Sequence, residues 1–148
     1  MSDILREEIK DYIKTSRSLV LATVNSDQKP IVRTIGGFAF EKGKIYFLTA
    51  IGSNKVEEIK NNNNVGILFQ HENQELSKFK NIFLEGRAER VEEKDNFKES
   101  LEFITNRREK IKITDESHVI YEVVPKKVRV LDFSKENLGQ RVEVLSLD

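Results

Sequence analysis

Seven runs of apolar, β-prone residues, at 18–24, 31–40, 45–49, 65–69, 79–91, 118–124 and 127–133, are separated by short polar or proline-containing breaks. No other feature narrows the fold as much. The breaks at 25–30 and 41–44 are too short to hold a crossover helix, so the first three runs predict an antiparallel meander. In that reading the strand carrying Arg33 and Thr34 lies beside the 45–49 strand. Residues 79–91 are long enough for one bent strand, with Gly86 at a bulge or a close contact. Pro125 lacks the N–H that a central ladder needs and should divide the last two strands. Six or seven short strands leave exposed edges in an open sheet, and a closed or split barrel removes them. The expected fold class is therefore α+β, a predominantly antiparallel split β-barrel with flanking helices.

Three helical segments interrupt the strands. Ile4, Leu5, Ile9, Tyr12 and Ile13 recur at helical spacing at the start, a second helix covers about 53–60, and Phe97, Leu101 and Ile104 mark one face of a third. Asn61 to Asn64 favours a loop, Gly36 and Gly37 interrupt a strand, and residues 135–148 read as a tail. With 148 residues and no composition shift, the chain is expected to be a single domain over residues 1–148.

Composition excludes several functions. The 25 basic and 25 acidic side chains cancel, so no net field draws the chain to nucleic acid or an anionic membrane. There is no cysteine and there are two histidines, His71 and His118, which argues against disulfide, thiolate and metal chemistry. Neither histidine has a serine or carboxylate at a recognisable spacing, and no catalytic residue is assigned. The N-terminus lacks the regions of a signal peptide, and no apolar run reaches the ~18 residues of a membrane span. The expected location is the cytoplasm.

The best candidate site lies between residues 45 and 59, where a strand passes through Gly52, Ser53, Asn54 and Lys55 into a helix. Gly52 permits backbone conformations closed to other residues, Ser53 is a favoured N-cap, and Lys55 adds a positive charge in the first turn. Such a turn can hold a phosphate, although an ordinary capped helix start accounts for the same residues. Arg33 and Thr34 on the neighbouring strand, with Thr49 at the strand end, could converge on the same anion. Gln70 ends the next strand, where its amide could read a heterocycle edge. Glu57 and Glu58 read as a solvated helix face. Asn106, Arg107, Arg108 and Lys110 suit a helix C-terminus, and an anion site is the alternative.

Taken in order, the opening helix, Leu21-Ala22-Thr23-Val24-Asn25, Lys29-Pro30, the Arg33 strand, Tyr46-Phe47-Leu48-Thr49, Ser53-Asn54-Lys55 and Tyr121-Glu122-Val123-Val124-Pro125 resemble the pyridoxamine 5′-phosphate oxidase-like family, the flavin-binding split barrels. The resemblance spans nearly the whole chain. It implies a homodimer with flavin mononucleotide (FMN) at two interface sites and electron or hydride transfer to a small-molecule substrate. By position, Arg33, Thr34 and Ile35 would run beside the ribityl chain and ring, Thr49, Ser53, Asn54 and Lys55 would lie at or near the phosphate, and Gln70 would approach the ring. The partner subunit would complete the pocket through residues 81–85, with Gln140 and Arg141 as further candidates. A non-catalytic flavin- or haem-binding protein is the alternative, in which His71 or His118 would have to ligate iron.

Overall fold

A computed structural model describes residues 5–107 and 117–147. Helix α1 (Glu7–Lys14) buries Ile9, Tyr12 and Ile13 and carries acids in its first turn and Lys14 in its last, as the helix dipole favours. Strands β1 (Leu19–Val24), β2 (Pro30–Ile35), β3 (Phe38–Glu41) and β4 (Lys44–Ala50) follow, then helix α2 (Asn54–Asn61) and strands β5 (Asn64–Gln70) and β6 (Lys80–Arg90). Helix α3 (Lys94–Arg107) precedes β7 (His118–Asp132) and β8 (Val142–Ser146). Among the described residues no helix is long and apolar enough to cross a membrane.

All eight strands form one antiparallel sheet in the order β2-β1-β5-β6-β7-β4-β3, with β8 added to β7. The meander expected in the first third is replaced by two separate hairpins. Gly36 and Gly37 break the 31–40 run, so β2 pairs with β1 whereas β3 pairs with β4 at the opposite end of the strand order. Three virtual bonds join Ile35 to Phe38, a span of at most about 11 Å. The two ends of the sheet must therefore meet at this corner, which curls the sheet into a barrel that is open where β2 and β3 do not pair. The β3–β4 turn uses Lys42 (φ 55°) and Gly43 (φ 76°), the paired positive values of a tight hairpin.

Strand alternation divides the side chains between two cores. The barrel interior takes Leu19, Leu21, Phe47, Ile67, Phe69, Ile82, Leu84, Tyr121 and Val128. A smaller core forms outside the barrel, where α3 covers Ala39, Tyr46 and Ile120 with Ile104, flanked by Phe97 and Leu101. Arg107 closes that corner by donating to the carbonyls of Phe38 (2.7 Å), Lys14 (3.1 Å) and Ser16 (2.8 Å), which gives it a structural role. Arg108 and Lys110 lie outside the described residues.

Two further expectations are corrected. Pro125 does not divide two strands: β7 is continuous, and the register shift between Glu85 and Gly86 accommodates the proline. Gly86 lies opposite it, and a Cβ there would meet the Val124 carbonyl oxygen at 2.5 Å, so the expected close contact is present. The segment read as a tail instead forms β8, and Leu147 beyond it is buried. Glu143 on β8 is held by a two-point pair from Arg6 (2.7 and 2.9 Å).

Candidate functional site

Thr49, the penultimate residue of β4, lies on the inner face opposite Val119, and it is buried. The chain then turns, with the Ile51 N–H donating to Ser117 O (3.1 Å) and the Ser53 N–H to Ala50 O (3.1 Å). Gly52 does not have a positive φ, and a Cβ there would meet nothing within 4 Å, so the turn does not need its special freedom. Ser53 is the N-cap of α2 by backbone geometry, but its hydroxyl lies 3.0 Å from Thr49 Oγ1 and caps no N–H. Two hydroxyls therefore stand beside a helix N-terminus whose first N–H groups have no side-chain acceptor among the described residues, an arrangement that suits an anion.

Lys55 lies in the first turn of α2, half-buried, with no hydrogen bond or ion pair to any described residue. Burial pushes its ammonium below the usual lysine range, the positive charge of Arg33 adds to that shift, and Glu58 opposes it. An anion beside it would favour the charged form.

Arg33 reaches this region from β2. The register places it opposite Leu21, on the inner face of the barrel. Its Nη1 donates to Thr23 Oγ1 (2.6 Å) and its Nη2 to Glu58 Oε1 (2.5 Å), and the Thr23 hydroxyl donates to the same carboxylate oxygen (2.7 Å). The Arg33 and Glu58 side chains are only 19% and 13% exposed. Arg33 thus meets the site through α2 packed on the β1–β2 hairpin, not through a strand beside β4. Glu58 is correspondingly not part of a solvated helix face, whereas Glu57 is exposed. The signal for Glu58 was its spacing of three from Lys55, which puts both on one side of α2.

The other predicted residues are more scattered. Thr34 is exposed on the outer sheet face opposite Val20, while the Ile35 side chain is buried in the core. Asn54 is exposed at the first position of α2. Gln70 is exposed on the outer face opposite Asn81, whose Nδ2 donates to Gln70 Oε1 (3.2 Å), while Asn81 Oδ1 is buried without a partner among the described residues. One chain therefore gathers Arg33, Thr49, Ser53 and Lys55, and leaves Thr34 and Gln70 facing outward. Of four clefts on the described surface, the largest is about 970 Å³ and lies beside α3 and the start of β7, and none of the four is lined by the eight predicted residues.

The sequence model of pyridoxamine 5′-phosphate oxidase matches residues 5–132. The chain belongs to this family. No curated protein sequence matches it. Among solved structures, a conserved hypothetical protein from Mycobacterium tuberculosis superposes with a TM-score of 0.76 at 24% identity, over 97% of this chain and 92% of that one. A pyridoxamine 5′-phosphate oxidase-related, FMN-binding protein from Nostoc punctiforme gives 0.68 at 15% identity, over 97% and 96%. A haem-binding protein from Mycobacterium smegmatis gives 0.75 at 14% identity, over 95% of this chain and 57% of that one. At these identities the likeness shows the shared fold, and this family fold accommodates more than one kind of ligand.

Proposed function

We propose that this chain binds FMN and serves as a flavin-dependent oxidoreductase toward a small-molecule substrate. The observation that carries the reading is the half-buried Lys55 at the α2 N-terminus, unpaired among the described residues, beside the Thr49–Ser53 hydroxyl pair. Those groups fit the terminal phosphate of a mononucleotide. Lys55 would supply charge, the hydroxyls and the first N–H groups of α2 would supply donors, and Arg33 would hold α2 against the β1–β2 hairpin. Bound flavin supplies the electron or hydride transfer, and the protein's part is binding, orientation and control of water.

The rest of the pocket is assigned to a second copy of the chain. Val20, Leu68 and Phe83 lie in one outer-face row with Thr34, Arg129 and Val144, and Val32, Val142 and Val144 are 65%, 50% and 55% exposed, a largely apolar surface crossed by the Arg129 guanidinium over the Phe83 ring and suited to pairing. Gln70, Asn81 and Glu85 open onto the same face, where they would meet the partner's flavin. The haem alternative is less well supported at His71, whose ring is stacked on Tyr12 at 3.7 Å and whose Nε2 lies 3.0 Å from Tyr12 O.

The test is a titration of the purified chain with FMN and with riboflavin, followed by absorption and fluorescence. FMN should bind at least tenfold more tightly, and Lys55→Ala should weaken FMN by about 1.5–3 kcal/mol, the range of a charge-assisted phosphate contact. Equal affinity for the two flavins, or an unchanged FMN constant in Lys55→Ala, would refute the phosphate assignment.

A further inference from the structure

Lys55 is the cation of the phosphate site proposed above and Arg33, whose charge acts on it, is the nearest candidate for a second, yet the two stand in different electrostatic states. Arg33 spends both terminal nitrogens inside the protein, one on Thr23 and one on Glu58, and Thr23 closes the triangle by donating to the same Glu58 oxygen. Lys55 has no such partner among the described residues. The site therefore offers an incoming anion two positive charges, one of which is already neutralised by an internal carboxylate. A phosphate monoester brings about −1.5 to −2 charges near neutral pH. Neutralisation of that ligand is incomplete as long as Glu58 holds Arg33. Glu58 also acts on Lys55 directly, since its charge opposes the effects that lower the lysine's pKa.

We propose that Glu58 acts as an internal competitor for the phosphate at Arg33, so that this site holds its mononucleotide as an exchangeable ligand instead of a permanently bound group. This rests on the FMN reading above. A carboxylate 13% exposed and joined to two donors is a built feature, because burying an unpaired glutamate would be costly. Its place on α2, one turn beyond Lys55, couples the two cations: whatever draws Arg33 toward a ligand must release Glu58, and whatever strengthens the pair leaves Lys55 alone with the anion. Glu58 is thus a specificity-determining residue, setting how much charge the site favours.

The experiment compares Glu58→Gln with the wild-type chain. Glutamine keeps the length of the side chain and an acceptor for Arg33 and Thr23, and removes the negative charge. Affinity for FMN should rise at least tenfold, riboflavin affinity should stay within about twofold, and inorganic phosphate should raise the thermal midpoint more in the variant than in the wild type. Glu57→Gln, the same charge change on an exposed neighbour, should shift FMN affinity less than threefold. If Glu58→Gln fails to fold, Glu58→Asp, which retracts the carboxylate from Arg33, should still tighten FMN relative to riboflavin. Unchanged or weaker FMN binding in Glu58→Gln, or in the aspartate variant where only that one folds, overturns the proposal. So does an equal gain in Glu57→Gln, which would mark a general charge effect. A wild type that prefers FMN while Glu58→Gln gains nothing refutes this inference alone, whereas no preference for FMN in any variant removes the phosphate reading and this inference with it.

Discussion

Tyr12→Phe isolates one hydroxyl that joins three segments. The Tyr12 hydroxyl donates to Lys80 O (2.5 Å) and accepts from the His71 N–H (2.9 Å) and from Gln74 Nε2 (3.3 Å), linking α1 to the ends of β5 and β6. Phenylalanine retains the ring and its stacking on His71. Lys80 O keeps a donor in Gln74 Nε2 (2.8 Å), and Gln74 Nε2 keeps His71 O (2.9 Å), so the group left without a partner is the His71 N–H. One orphaned, partly buried N–H costs about 1–3 kcal/mol, and a loss near 2 kcal/mol lowers the midpoint of a domain this size by roughly 4–8 °C. Urea unfolding followed by circular dichroism should show a lower midpoint at unchanged slope. A loss below about 0.5 kcal/mol would refute the reasoning. The same hydroxyl gives a signature in alkali. Burial raises the Tyr12 phenol above its ordinary value of 10.0, while the donors from His71 and Gln74 act in the opposite direction. Its contribution is present in full below that ordinary value and is lost as pH rises through the folded one. The tyrosine-to-phenylalanine variant should lose stability less steeply above about pH 10, with Tyr46 and Tyr121, also raised by burial, accounting for the slope that remains.

Gly86→Ala should destabilise by about 1–3 kcal/mol, since the new methyl meets the Val124 carbonyl in the middle of the β6–β7 ladder, whereas Gly66→Ala meets the movable ring of Phe83 and should cost less in the same urea titration. Asp132 provides the acid counterpart to Tyr12. Burial pushes its carboxyl up, but two hydrogen bonds from Ser134, with Lys80 and Lys135 nearby, outweigh that and leave it below 3.8. Its contribution is present above that value and lost as pH falls through the folded one, so Asp132→Asn should flatten the acid limb of the stability profile below about pH 4.

What could be read from the sequence depended on whether the signal was local. Helix α1 and the α2 start were legible because amphipathic spacing and a serine before a charged first turn are properties of adjacent residues. Gly86 was legible because a glycine inside a long β-prone run marks either a bulge or a close backbone approach, and here it is the close approach, facing a bulge whose extra residue, Lys126, lies on β7. The division of 31–40 into two strands on opposite edges was not, since two glycines mark a break without saying where each half goes. Pro125 misled because the missing N–H of proline is tolerated beside a bulge, and β7 has one there: Lys126 is passed over between the Glu85–Lys127 and Gly86–Pro125 pairs, with Gly86 nearly forty residues earlier in the chain giving the proline room. At the site, Ser53 and Lys55 could be named from the helix start. Glu58 had only its spacing of three from Lys55 to mark it, and an acid on a short helix looks solvated until Arg33 and Thr23 arrive from a different hairpin.

The Gly36–Gly37 connection also bears on how this chain reaches its native state. The β1–β2, β3–β4 and β5–β6 pairs are neighbours along the chain and need only short loops to close, whereas β1–β5 joins residues more than forty positions apart and β4–β7 residues more than sixty-five apart. Loop closure for those distant pairings must be met before they return stabilisation, and topologies dominated by such contacts fold on the slower side of the two-state range. The two glycines therefore join in sequence what the sheet joins only at a distance: the link keeps β2 and β3 within about 11 Å of each other, and the barrel is complete only when β5, β6 and β7 bridge the two hairpins on the other side.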